Sequence, residues 1–185
     1  MNGAGGSTVL RAFVSSTYED LREHRAYVID RLRHCGLFVD PMEDWTADTG
    51  APVGFSQARV DGCDVCILLV ALRRGYVPGT GGNGQSITQM EYARACALDI
   101  DVLVFLLNED ALWRIRFDER ATDPLVAEWR ALLKATKGVG YFDHRPDSID
   151  IEAALFRWMA RKMDALKKMA GQVHDSASLV GTRIR

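Results

Sequence analysis

One carboxylate stands out for the chemistry it could do: Glu91, within Ser86-Ile-Thr-Gln-Met-Glu-Tyr-Ala-Arg-Ala-Cys-Ala-Leu98. Helical spacing places Ile87, Met90, Ala93 and Ala97 on one face, with Glu91 beside it in the second turn. A solvated surface glutamate is the ordinary outcome. The helix opens at a glycine-rich loop, however, which sets Glu91 near the expected ligand crevice. Ser15-Ser16-Thr17 has two compatible readings: a helix cap, or hydroxyls and N–H groups offered to an anion at a positive helix end. Arg74, in Arg73-Arg-Gly-Tyr76, is either surface charge or a guanidinium gripping phosphate through two parallel bonds.

Other motifs fall away on inspection. Gly79-Thr-Gly-Gly-Asn-Gly-Gln-Ser86 has phosphate-loop spacing, but Gln85 stands where the phosphate-reaching lysine is needed. A flexible loop before a capped helix explains it better, and a nucleoside triphosphatase is rejected. Cys63-x-x-Cys66 has no second Cys/His pair to complete a zinc site, and it enters a strand rather than opening a helix. Packing cysteines are expected instead. Histidines 24, 34, 144 and 174 form no ligating pattern, so no metal and no resident cofactor are assigned.

The elements that must position these residues alternate. Strands are expected at Val9–Val14, Leu37–Val39, Asp64–Ala71, Val102–Leu107 and Val139–Phe142. Helices are expected from Tyr18 to a stop at Gly36, around Phe55–Val60, over Ser86–Leu98, near Asp123–Lys137 and over Ser148–Ala170. Loops fill Asp40–Pro52 and Arg73–Gln85, the latter with five glycines and a proline. Continuous apolar runs such as Asp-Val-Cys-Ile-Leu-Leu-Val-Ala fit strands buried on both faces. The expected fold is therefore α/β: a doubly wound, flavodoxin-like five-stranded parallel sheet with helices on both faces. Ligands of such folds sit outside the C-terminal strand ends, where Ser15–Thr17, Arg73–Tyr76 and Asn108 all fall. Residues 1–7 are expected to be a flexible leader, 8–170 the domain, and 171–185 a linker or tail of a larger protein.

The 185 residues are 48% hydrophobic and 26% charged, which places the chain among globular rather than disordered proteins. A net charge of −2 gives no global basic field, so neither nucleic acid nor an anionic membrane is an expected partner. No signal peptide is visible, and no apolar run nears the roughly 20 residues a bilayer requires. With four cysteines that suit reduced thiols, a cytoplasmic location is expected.

Three phrases, in order, carry a family resemblance: Phe13-Val-Ser-Ser-Thr-Tyr-Glu-Asp-Leu-Arg-Glu-His-Arg25, Asp64-Val-Cys-Ile-Leu-Leu-Val-Ala-Leu-Arg-Arg-Gly-Tyr76 and Ser86-Ile-Thr-Gln-Met-Glu-Tyr92. From about residue 9 to 107 the chain resembles a TIR-like domain family found at the N-terminus of STAND-type signalling NTPases. More distantly it is similar to TIR domains and nucleoside deoxyribosyltransferases, which place a glutamate at the position of Glu91. The resemblance implies an effector or signalling domain of a larger antiviral-defence or signalling protein, with NAD+ or another nucleotide as substrate. Glu91 would be the catalytic carboxylate for cleavage of the nicotinamide–ribose bond. Ser15, Ser16, Thr17, Trp45, Arg74, Gly75, Tyr76 and Ser86 would surround the substrate. It also implies self-association and partner domains in the same chain. Two alternatives stay open: a non-catalytic self-associating interaction module, and a nucleoside or nucleotide N-glycosyltransferase.

Overall fold

The computed structural model of the chain describes residues 9–39, 58–79 and 83–181, with side chains as far as Ala170. It divides into two compact units, Met1–Asp150 and Ile151–Arg185.

The first unit is built on a parallel sheet of β1 (Arg11–Ser15), β2 (Phe38–Val39), β3 (Val65–Val70), β4 (Asp101–Leu107) and β5 (Val139–Phe142). Their spatial order is β2-β1-β3-β4-β5, all pairs parallel. This is the doubly wound α/β fold that the alternating elements predict. All six residues of β3 are buried, as its unbroken aliphatic run requires. Burying each large aliphatic side chain there contributes about 1.5–3 kcal/mol.

Besides a helical stretch at residues 58–61, where a short helix is expected, the α-helices of this unit among the described residues are α1 (Arg22–His34), α2 (Ile87–Ala97) and α3 (Pro124–Thr136). Trp129 and Leu133 of α3 pack with Leu68, Val70, Val104 and Leu106, while Ala95 of α2 packs with Phe13, Val60 and Cys66. Helix α1 adjoins β1 and β2 and buries Val28, Ile29 and Leu32. Gly36, at φ +82°, ends α1 in the left-handed conformation that suits glycine. Asp123 caps α3 through the Leu125 N–H, ahead of Pro124 at its first position.

Three expectations need correction. Strand β1 includes Ser15, and α1 starts only at Arg22, with Leu21 at the N-cap and no side-chain cap. Ser15–Thr17 is therefore no helix cap. Three of the four cysteines lie in apolar stretches of sequence, which predicts packing for three, but only two serve it: Cys66 is buried and Cys63 half-buried, whereas Cys35 and Cys96 are exposed. Burial chiefly pushes Cys63 up to about 11 and Cys66 well above the ordinary thiol value, so neither is a ready thiolate. In the second unit, helix α4 (Ile151–Gly181) starts after Ser148 and passes the expected end at Ala170. Loss of apolar periodicity after residue 170 removes a packing signal but not helix propensity, which Ala and Gln in that stretch retain.

Candidate active site

The strand order creates a switch point at β1. From β1 the chain winds outward to β2, then crosses back to β3 on the other side. Connections leaving in opposite directions open a crevice at the C-terminal strand ends, the usual ligand position in such sheets. Ser15 is the last residue of β1 and lies in register with Leu68 of β3, at the C-terminal strand end beside the switch point.

Across it stands Glu91 of α2. The Ser15 hydroxyl donates to Glu91 Oε2 at 2.6 Å, and the two residues are only 1% and 6% exposed. A bond this short between hydroxyl and carboxylate belongs to the charge-assisted class. The buried stripe of α2 is Thr88, Glu91 and Ala95, with Met90 beside them; Ala93 and Ala97 face solvent. Helical spacing of the apolar residues thus misplaces the inner face, because the inner face is partly polar. Glu91 is not a solvated surface glutamate.

The loop after β1 is held from below by Arg25, itself 2% exposed. Its Nη1 donates to the Val14 carbonyl at 3.0 Å and to Ser16 Oγ at 3.1 Å. The Ser16 hydroxyl in turn donates to the Thr17 carbonyl at 2.8 Å. Thr17 packs against Gly75, whose φ of +83° and bare Cα allow the two loops to meet. Ser15 with Glu91, Ser16 with Arg25, and Thr17 with Gly75 are therefore brought together.

Arg74 points elsewhere. Its guanidinium bonds the Gly84 carbonyl and pairs with Asp123 at 3.3 Å, while its backbone N–H donates to Glu119 at 2.8 Å. Neighbouring Arg73 joins Glu19 at 2.6 Å and Glu119 at 3.0 Å. These carboxylates fix the loop after β3. Tyr76 is 68% exposed and contributes its carbonyl, which accepts the Ile87 N–H. Ser86 is fully buried as the N-cap of α2, in a reciprocal capping box with Gln89. Trp45 lies outside the described residues. Among the described residues, no cluster of three or more His, Cys, Asp or Glu side chains has the makings of a metal site.

Arg130 is a second buried guanidinium that the sequence reading missed. It is 2% exposed and donates to the carbonyls of Val70, Ala71 and Leu107 at 3.2, 3.0 and 2.6 Å. It thereby ties together the C-terminal ends of β3 and β4. A sequence signal existed: Arg130 falls on the apolar stripe of Val126, Trp129 and Leu133. Arg25 carried a similar signal, lying between Leu21 and Val28 on the buried face of α1.

No curated protein matches the chain. Its structure is similar to the Clostridium botulinum CMP N-glycosidase BcmB, at 16% identity over 79% of this chain and 98% of that one, with a TM-score of 0.45. It is also similar to the TIR domains of the activated Roq1 resistosome that directly recognises the pathogen effector XopQ. That likeness has 11% identity, covers 69% of this chain and 72% of the other, and has a TM-score of 0.43. The family described as Domain of unknown function (DUF4062) matches residues 11–155, most of the chain, and the protein belongs to that family.

Proposed function

We propose that the protein is a nucleotide N-ribosyl hydrolase, with NAD+ as its first substrate and Glu91 as its catalytic carboxylate. It would serve as an effector or signalling domain in a larger STAND-type protein of the cytoplasm. The carrying observation is the buried Ser15–Glu91 pair at the switch point of the sheet. A carboxylate is costly to bury without a partner, and here the Ser15 hydroxyl meets it and fixes its direction. In the reaction, the C1′–N bond breaks and its electron pair departs with nicotinamide. Positive charge grows on C1′ and the ring oxygen, where the Glu91 carboxylate stabilises it. Water then forms the new C1′–O bond and releases a proton, leaving ADP-ribose. Ser16, Thr17 and Gly75 shape the adjoining loops, and Trp45, Arg74, Tyr76 and Ser86 remain the proposed surroundings of the substrate. A nucleotide N-glycosyltransferase would differ only in using an acceptor other than water.

A second reading, a non-catalytic self-associating module, has its own support. Phe156, Met163 and Leu166 lie exposed along α4, an apolar stripe that suits assembly. The test is base release from NAD+ and from CMP by the purified protein, dilute and concentrated, beside Glu91→Gln. Release by wild type alone supports the hydrolase; no release at any concentration supports the module.

A further inference from the structure

A second cleft opens at the C-terminal side of the sheet and shares no residue with the Ser15–Glu91 pair. It lies between the start of α1, the loop after β4 and His144 beyond β5, and has a volume of about 650 Å3. Drug-sized and nucleotide-sized ligands occupy pockets of roughly 300–1,000 Å3. The walls combine aromatic rings (His24, Trp113, Phe117) with the guanidinium-bearing Arg22, Arg114 and Arg116.

These three arginines are exposed, and among the described residues none has an ion-pair partner. Arg22 stacks over Tyr18 at 5.7 Å, Arg116 and Arg73 stack over Phe117 at 4.6 and 5.8 Å, and among the described residues Arg114 stacks on no ring. Several arginines elsewhere in this unit are spent differently: Arg73, Arg74, Arg94 and Arg120 each meet a carboxylate. The indole N–H of Trp113 is buried without an acceptor. The first turn of α1, to which Arg22 and His24 belong, has no side-chain cap, so its positive end also bears on the cleft.

The acids around the cleft offset this field only in part. Glu19 is committed to Arg73 at 2.6 Å. Burial pushes the Asp20 carboxyl above its ordinary value, and burial pushes His24 down, which favours its neutral ring. Asp20 and Glu23 remain on the wall as acids without an ion-pair partner among the described residues. Leu112, 78% exposed at the edge, adds apolar surface.

We propose that this cleft is a second ligand site, for a nucleoside phosphate whose base lies against Trp113 and whose phosphate meets Arg114, Arg116 and Arg22. Guanidinium groups suit phosphate because their planar donors match its oxygens in pairs. An aromatic wall suits the base because every base presents a π-face. Phosphate alone would leave the aromatic wall and most of the volume unused.

The experiment uses the full chain carrying Glu91→Gln, which keeps the proposed hydrolase from consuming ligand. AMP, adenosine and inorganic phosphate are titrated separately by calorimetry. Expected is saturable one-to-one binding of AMP, tighter than of either fragment. Joint reversal of Arg114→Glu and Arg116→Glu should weaken it at least about tenfold, in line with the loss of charge-assisted bonds. Trp113→Phe, which keeps an aromatic face but removes the N–H, should weaken it by less. The arginines are exposed, so an unchanged thermal midpoint is expected and confirms folding. Absent AMP binding, or binding indifferent to the arginine reversal, overturns the second site. In an otherwise wild-type chain, the arginine reversal should leave any base release at saturating substrate intact. The second site and the hydrolase reading thus fail separately.

Discussion

Ser15 and Glu91 stand 76 positions apart in sequence, yet the hydroxyl of the first donates a 2.6 Å hydrogen bond to the carboxylate of the second inside the protein. The contact joins the end of a strand to the second turn of a helix. It is polar at the end of a strand whose other buried residues, Ala12, Phe13 and Val14, are apolar. A polar pair of this kind adds less to stability than apolar packing of similar volume would, so its presence at the switch point favours a chemical use.

Glu91→Gln keeps the shape of the side chain and an acceptor for Ser15, but removes the negative charge. Base release from NAD+ should fall by at least about 100-fold, the loss usual when a group that stabilises transition-state charge is removed. Thermal unfolding should shift little. A glutamine variant as active as wild type would remove Glu91 from the reaction.

Ser15→Ala tests the other partner. It leaves the buried carboxylate short of a donor, and a hydrogen bond to a charged group is worth about 1.5–3 kcal/mol. The urea midpoint should fall accordingly with an unchanged slope. Combining Ser15→Ala with Glu91→Gln should cost less than the sum of the single changes, because losing the hydroxyl is less costly beside a neutral amide than beside a carboxylate.

The order of strands and helices was legible in the sequence because β3, β4 and the helices report burial through apolar periodicity. The site was legible only in part. Glu91 sits on a buried stripe with Thr88, so apolar spacing alone turned α2 the wrong way. Ser15–Thr17 looked like a cap because hydroxyl residues precede a helix. Arg25 instead takes Ser16, and α1 begins at Arg22. Arg74 looked open to phosphate because its partners Asp123 and Gly84 come 49 and 10 positions later. Long-range polar pairing leaves no periodic trace, and these are the residues where reading by period fails.

Arg130→Met should be among the most damaging single changes outside the site. Methionine fills much of the space but leaves the Val70, Ala71 and Leu107 carbonyls without their donor. A loss of about 3 kcal/mol is expected from buried groups left unpaired. Urea unfolding of the variant measures it; a change within about 0.5 kcal/mol, the usual range for a neutral surface substitution, would mean that water replaces the guanidinium.

Two groups give opposite ends of the acid response. Burial holds the His24 value below 6.5, so the neutral ring is favoured in the folded state. Its contribution is full above about pH 6.5 and is lost as pH falls toward the lowered folded value, where the unfolded chain binds the extra proton. Glu109 is held at about 2, first by Lys134 and then by Arg130. Its contribution is present above the ordinary value of 4.5 and is lost as pH falls from there toward 2. The Glu109 side chain is 47% exposed, so solvent screening keeps its effect small. Urea midpoints across pH should fall in two stages; His24→Gln should flatten the upper one and Glu109→Gln the lower.

Gly75→Ala separates the geometry of the site from the stability of the domain. At φ +83° an alanine is strained by about 1–2 kcal/mol. Its Cβ would also lie 2.7 Å from Thr17 Cγ2, closer than packed carbons tolerate. Relief requires the loop after β3 to move, or Thr17 to retreat. Glu119 and Asp123 restrain the first, because they bond Arg74 and Arg73 on the same loop. Thr17 is therefore the side that gives way, and Ser16 and Ser15 follow it through the short backbone. The expected result is a modest drop in urea midpoint beside a larger loss of base release, with substrate affinity and turnover both affected. Equal losses at Gly75→Ala and at Gly140→Ala, where a Cβ would meet the Phe105 ring at 2.7 Å far from the Ser15 loop, would instead mark both as general packing defects.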